Sequence, residues 1–146
     1  MAARQNWEFR NELEARKAAS SYFNAGLRDY KTGNIRRAIL WWKLAYKVIW
    51  IDANNSIHEV GSPSAAIALG KLAMYKHDYI AATLHFEWAR DLGSSEALIH
   101  LAKIALIKKD RDKAMKLLLQ ANKEGRDDAL ELYKKLNESS RKDGAL

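Results

Sequence analysis

Four histidines, no cysteine and eighteen acidic residues are the raw material for chemistry in this 146-residue chain. His58, His77, His85 and His100 show no H-E-x-x-H spacing; His58–Glu59 is only an adjacent pair. Without cysteine there are no disulfides, thiolate metal sites or thiol nucleophiles, a composition compatible with a reducing compartment. Gly70–Lys71 lacks the upstream glycine of a phosphate-binding loop, and no nucleophile motif surrounds any serine. The expectation is a protein that is not an enzyme and has no cofactor or metal. The one recurrent chemical pattern is cationic: Lys71, Lys103 and Lys135 follow one another at a fixed spacing of 32 residues.

That spacing belongs to the whole chain. Gly61, Gly93 and Gly125 are also 32 residues apart, and the residues between them repeat in register. Small residues match in Gly70 and Ala102, Ala82 and Ala114, and Ala89 and Ala121. Large apolar residues match in Leu69, Leu101 and Tyr133, in Met74 and Leu106, and in Phe86 and Leu118. An earlier copy fits through Gly26, Tyr30, Ala38, Trp42 and Ala45, but lies 44 residues upstream, which leaves a 12-residue insertion between Tyr46 and Val60.

Each copy reads as a helical hairpin. Ser62 is an N-cap with Pro63 at the first helical position, where its missing N–H is not needed. The first helix runs to about Lys76, His77–Asp78 turns the chain, and Asp78 caps a second helix ending near Leu92 before Gly93. Asp110 and Gly125 take those roles in the next copy. His77 shares its turn column with Gly33 and Lys109, so it reads as a turn residue and not a ligand. Small residues at the crossing let bulky partners approach, and hairpins that cannot bury both faces alone must stack. The fold class expected is all-α: three helical hairpins in a short right-handed α-solenoid, closed by a C-terminal half-repeat. One domain is expected over residues 1–138, with a polar, flexible tail over 139–146.

These columns resemble the tetratricopeptide repeat. The resemblance is carried by Ala25–Gly26, Tyr30, Gly33–Asn34, Ala38, Trp42 and Ala45, and again by Leu69–Gly70, Met74, His77–Asp78, Ala82, Phe86 and Ala89. The run from Trp88 to Ala97, W-A-R-D-L-G-S-S-E-A, is similar to the related Sel1-like repeat. The proline usual after the second tetratricopeptide helix is absent, and a short turn replaces the long Sel1-like loop. The resemblance spans about residues 19–138 and implies a concave groove, lined by the first helix of each hairpin, that binds peptides or helices.

Groove residues expected on that basis are Asn24, Leu27 and Lys31 in the first copy, Ile67, Lys71 and Met74 in the second, Ile99, His100, Lys103 and Leu106 in the third, and Lys135 in the half-repeat. Ammonium groups mixed with aliphatic patches suit an acidic, partly apolar segment of another protein. The plainer reading of the lysines is a solvated face inherited by each repeat. In the insertion, the second helix is expected to extend through YKVIWID to about Asp52, with a turn at Asn54–Asn55 and a Ser56/Glu59 capping box. Trp50 and Ile51 would then either cover the second repeat or form, with Trp41, a second interface. Residues 6–20 are expected to be helical and to run on into Tyr22–Tyr30 or break at Ser20–Ser21, with Trp7, Phe9 and Leu13 capping the first repeat.

The net charge of +7, with a pI near 9.6, is divided between the two ends, and acidic residues interrupt each basic cluster. A nucleic-acid-binding regulator is therefore the second expectation and a self-assembling helical subunit the third, and the chain is expected to be a monomer or homodimer. No signal-like or membrane-spanning segment is legible, so a cytoplasmic protein without membrane contact is expected.

Overall fold

The computed structural model describes residues 9–144, with side chains over 9–139. Seven helices and one small sheet follow in the order α1 (Glu12–Lys31), α2 (Ile35–Tyr46), β1 (Val48–Ile51), β2 (Ile57–Val60), α3 (Pro63–Tyr75), α4 (Tyr79–Asp91), α5 (Glu96–Ile107), α6 (Arg111–Lys123) and α7 (Asp127–Gly144). Each helix packs on the next one in sequence, from α1 on α2 to α6 on α7. No described helix is long and apolar enough to cross a membrane.

The caps fall where the sequence places them. Ser62 Oγ accepts from the Ala65 amide at 3.1 Å, Asp78 from Ala81 at 3.1 Å and Asp110 from Lys113 at 3.2 Å. Each satisfies one of the amides a helix N-terminus leaves open. The turn column behaves as one structural position: Gly33, His77 and Lys109 all adopt positive φ, at +87°, +58° and +61°. Gly93 and Gly125 likewise turn the chain between hairpins at positive φ. Gly61 differs from them. A Cβ there would collide with the Tyr46 carbonyl oxygen, so this glycine lets the returning chain touch the end of α2.

Small and large residues interlock across each hairpin. A Cβ on Gly26 would meet the Trp42 indole at 2.5 Å, and one on Gly70 would meet the Phe86 ring at 2.5 Å. In the third hairpin the pair is Ala102 and Leu118, both fully buried in one cluster with Ala114, Ala121 and Ala129. Where the partner is aromatic the crossing holds glycine; where it is leucine the crossing accepts alanine.

The insertion departs from expectation. It is an antiparallel β-hairpin, with Val48 opposite Val60 and Trp50 opposite His58, and neither a helical extension nor a capped turn at Ser56. The runs V-I-W-I and I-H-E-V are β-branched and aromatic, which favours a pleated surface over a helix. Asp52 organises the loop: its Oδ1 accepts from the amides of Asn54 at 2.8 Å and Ser56 at 3.0 Å, and Asn55 takes φ +60°. Val48 and Val60 bury themselves against Ala15 and Ala19, so the hairpin covers the first half of α1. α2 stops at Tyr46, and two of its last carbonyls find partners from later elements: Ser62 N donates to the Ala45 oxygen at 2.8 Å and Trp88 Nε1 to the Tyr46 oxygen at 2.6 Å.

The ends also differ in detail. α1 is unbroken through Ser20–Ser21 but begins only at Glu12, because the Asn11 side chain accepts from the Glu14 amide at 2.8 Å and caps it. Phe9 lies before this cap, bridging to Trp50. Trp7 falls outside the described residues. α7 continues past the expected boundary at 138 to Gly144.

Candidate partner-binding cleft

An open cleft of about 780 Å³ lies where α1, α2, α3 and the start of α5 meet. Of the residues expected to face a groove, Leu27 and Lys71 line it, with Ile67 at its floor as part of the buried core. Its walls are otherwise aromatic and aliphatic. Tyr30 tilts on Trp42 at 5.6 Å, Trp42 Nε1 donates to the Phe23 carbonyl at 3.3 Å, and Ile35, Leu72 and Tyr75 complete the apolar surface. Tyr75 is 85 % exposed, with Tyr30 at 45 % and Ile35 at 38 %, so three large apolar side chains face water around one concavity.

The rim is charged. Lys71 and Lys76 stand at the edge of the α3 wall, and Glu96 from the first turn of α5 reaches in. Lys71 Nζ lies 3.5 Å from Glu96 Oε1, an exposed pair of small energetic weight. His100 stands one turn on, its Nε2 3.4 Å from the same carboxylate and its ring stacked on Phe86 at 4.6 Å and 11°. Burial lowers the proton affinity of His100; Glu96 opposes this, and Lys103 and Lys71 add to it. Lys103 and Lys135 are exposed but do not line the cleft.

Several expected groove residues lie elsewhere. Asn24 and Lys31 are exposed on α1 and do not line the cleft. Ile99 is buried in the core with Leu118, and Leu106 packs against the same cluster, so neither presents a groove surface. The reason is the position of α5: Ala97, Leu101 and Ile104 face the α3–α4 cluster, while Leu98, Ile99 and Ala102 face α6 and α7. A helix packed on two sides has less face to spare. Met74 is half-buried against the α3–α4 cluster.

The residues considered for a second interface are engaged internally. Trp41 stacks on Tyr22 at 5.9 Å, and Trp50 stacks on His58 at 4.3 Å while packing beside Ala15 and Ala19. Ile51 pairs with Ile57, and its amide donates to the Phe9 carbonyl at 3.3 Å. His58 Nε2 lies 2.8 Å from Asp52 Oδ2, a contact that leads in lowering the pKa of Asp52. No group of three or more His, Asp or Glu among the described residues could hold a metal ion.

The cleft residues that spacing did not single out include Tyr30, Trp42, Ile35 and Tyr75. Tyr30 and Trp42 occupy packing columns, yet Trp42 is buried while Tyr30, packed on it, stays 45 % exposed. Tyr75 sits at the helix end beside the turn, where periodicity says nothing of exposure. No protein-family model matches the chain, and no curated protein matches it in sequence.

Proposed function

We propose that this chain is a non-enzymatic interaction module, a short right-handed α-solenoid of the tetratricopeptide or Sel1-like type. In this reading it holds an acidic, amphipathic segment of a partner protein in the cleft and serves as an adaptor, chaperone or neutralising partner. One observation carries the reading: Tyr30, Ile35 and Tyr75 are exposed around a single concavity whose edge bears Lys71 and Lys76. Exposed aromatic and aliphatic side chains anchor a ligand by leaving water, and ammonium groups at the rim select its sign. The sequential packing of the helices and the repeated glycine–aromatic crossings support the solenoid component.

The test is selection from a randomised peptide library on the intact protein. The reading predicts enrichment of Asp and Glu interleaved with large apolar residues at helical spacing, with binding weakened at least about tenfold by Tyr75→Glu, a loss of some 1.4 kcal/mol. Because Tyr75 is almost fully exposed, helicity should be unchanged. Enrichment without acidic bias, or peptides indifferent to Tyr75→Glu, would remove the cleft from the function.

A further inference from the structure

A carboxylate is out of place in a cleft for acidic segments, and Glu96 is one. It enters from the first turn of α5, and a single oxygen, Oε1, faces two partners: Lys71 Nζ of α3 at 3.5 Å and His100 Nε2, one turn along α5, at 3.4 Å. Both separations lie at the long end of the hydrogen-bonding range, so neither partner holds the carboxylate tightly. Lys71 and Glu96 stand at the cleft wall, whereas His100 lies behind it with 11 % of its side chain exposed.

The two partners differ in what they can do. Lys71 presents an ammonium group to the cleft and is the group that a ligand's carboxylate seeks; His100 can be neutral or cationic. Burial favours the neutral His100 ring, Glu96 favours the cation, and Lys103 and Lys71 disfavour it, while α4 contributes the Phe86 ring stacked at 4.6 Å. Arg126, at the turn into α7, also feels Glu96 but is engaged by Asp128 at 2.9 Å. In the free protein the charge of Glu96 is therefore divided: it offsets Lys71 and supports a proton on His100. A ligand carboxylate arriving at Lys71 upsets that division, because two carboxylates on one ammonium group repel each other. Glu96 then has His100 within reach without leaving its own helix.

We infer that Glu96 is an internal stand-in for the ligand's carboxylate, resting on Lys71 in the free protein and passed to His100 when an acidic segment binds, with one proton taken up from solvent by the His100 ring. The inference rests on the reading of the cleft as a site for an acidic segment, and adds the regulation of that site. Glu96 is a positioning residue here, acting on the ligand through Lys71. A neutral apolar segment leaves the Lys71–Glu96 pair in place and gains nothing from the exchange. An acidic segment binds with proton uptake, so its affinity rises as the pH falls toward the range in which His100 is charged in the free protein as well.

Binding of a synthetic helical peptide with Leu on one face and Glu on the other tests the exchange, measured by fluorescence anisotropy on the intact protein at about pH 7.5 and about pH 5.8. The wild type should bind about threefold or more tightly at the lower pH, and the His100 ring, followed by NMR, should titrate at higher pH with the peptide bound than without it. Glu96→Gln should bind the peptide about threefold more tightly than the wild type at the higher pH, because Lys71 is no longer occupied, and should lose the gain at the lower pH. The same peptide with Gln in place of Glu should leave the His100 titration where it stands in the free protein. A gain that persists in Glu96→Gln would belong to the peptide and overturn the exchange, as would a His100 titration that the acidic peptide does not move. Equal binding to the wild type at both pH values would fail the exchange alone, whereas no binding at either would fail the reading of the cleft and the exchange with it.

Discussion

Gly70→Ala should destabilise the protein although alanine is the better helix former, and Phe86→Leu should reverse the effect. The added Cβ would lie 2.5 Å from Phe86 Cε1 and 2.8 Å from both Cδ1 and Cζ, inside any tolerable contact. The ring has little room to retreat: it is fully buried, and His100 stacks on it at 4.6 Å. Helix propensity favours Ala over Gly by about 1 kcal/mol, while forcing one methyl into a filled core costs about 1–3 kcal/mol. The single variant should therefore lose up to about 2 kcal/mol net. Phe86→Leu alone leaves a void and should cost about 2 kcal/mol, less than the full truncation of a phenylalanine. Together the two changes write into the second hairpin the Ala102–Leu118 pair that the third already contains. The double variant should be more stable than the sum of the singles by about 1–3 kcal/mol. Urea unfolding of the four proteins gives the cycle from the midpoints at a common slope. Additive losses would show that the repeats do not share one crossing geometry and would refute the packing argument.

Three further outcomes follow from the same geometry. Gly33→Ala should destabilise by about 1 kcal/mol because alanine resists positive φ, while His77→Gly, at the equivalent position, should be neutral or stabilising by up to about 1 kcal/mol; thermal melts distinguish them. Burial depresses the His100 pKa below its ordinary 6.5, so below that value the unfolded chain takes up the proton more readily than the folded one. Stability conferred by the neutral ring is therefore full above about pH 6.5 and falls as the pH drops through the window beneath it; His85, lowered for the same leading reason, adds to the loss, and His100→Gln should flatten the pH dependence of urea midpoints. Trp88→Phe removes the 2.6 Å hydrogen bond to the Tyr46 carbonyl that ties α4 to the end of α2, and should cost about 1–3 kcal/mol in the same assay.

Most of the helical framework was legible because it repeats. Ser62, Asp78 and Asp110 announce helix starts by residue type, and the Gly33–His77–Lys109 column reads as a turn from its place between two apolar periods, in keeping with its positive φ. The insertion was misread because the apolar period of α2 runs on into Val48–Ile51, so spacing alone could not end the helix at Tyr46. The warning was the β-branched run bracketed by Asp52–Ser56, and what decides it is tertiary: the hairpin supplies the cover that α1 lacks. The cleft was legible only in part. Column matching found Leu27, Ile67 and Lys71 but assumed that each repeat presents the same face. α1 packs on α2 and the β-hairpin, whereas α5 is packed between α4 and α6, so equivalent columns differ in exposure: Ile99 is buried in the core and Leu106 packs half-buried against it.

The most direct test of the account is retention of material from native lysate by the tagged protein, with and without nuclease, beside a Lys71→Glu/Tyr75→Glu variant of unchanged helicity. One protein should be bound stoichiometrically by the wild type, indifferent to nuclease and lost by the variant. Retained nucleic acid that disappears on nuclease treatment, or the same protein held equally by the variant, would contradict it.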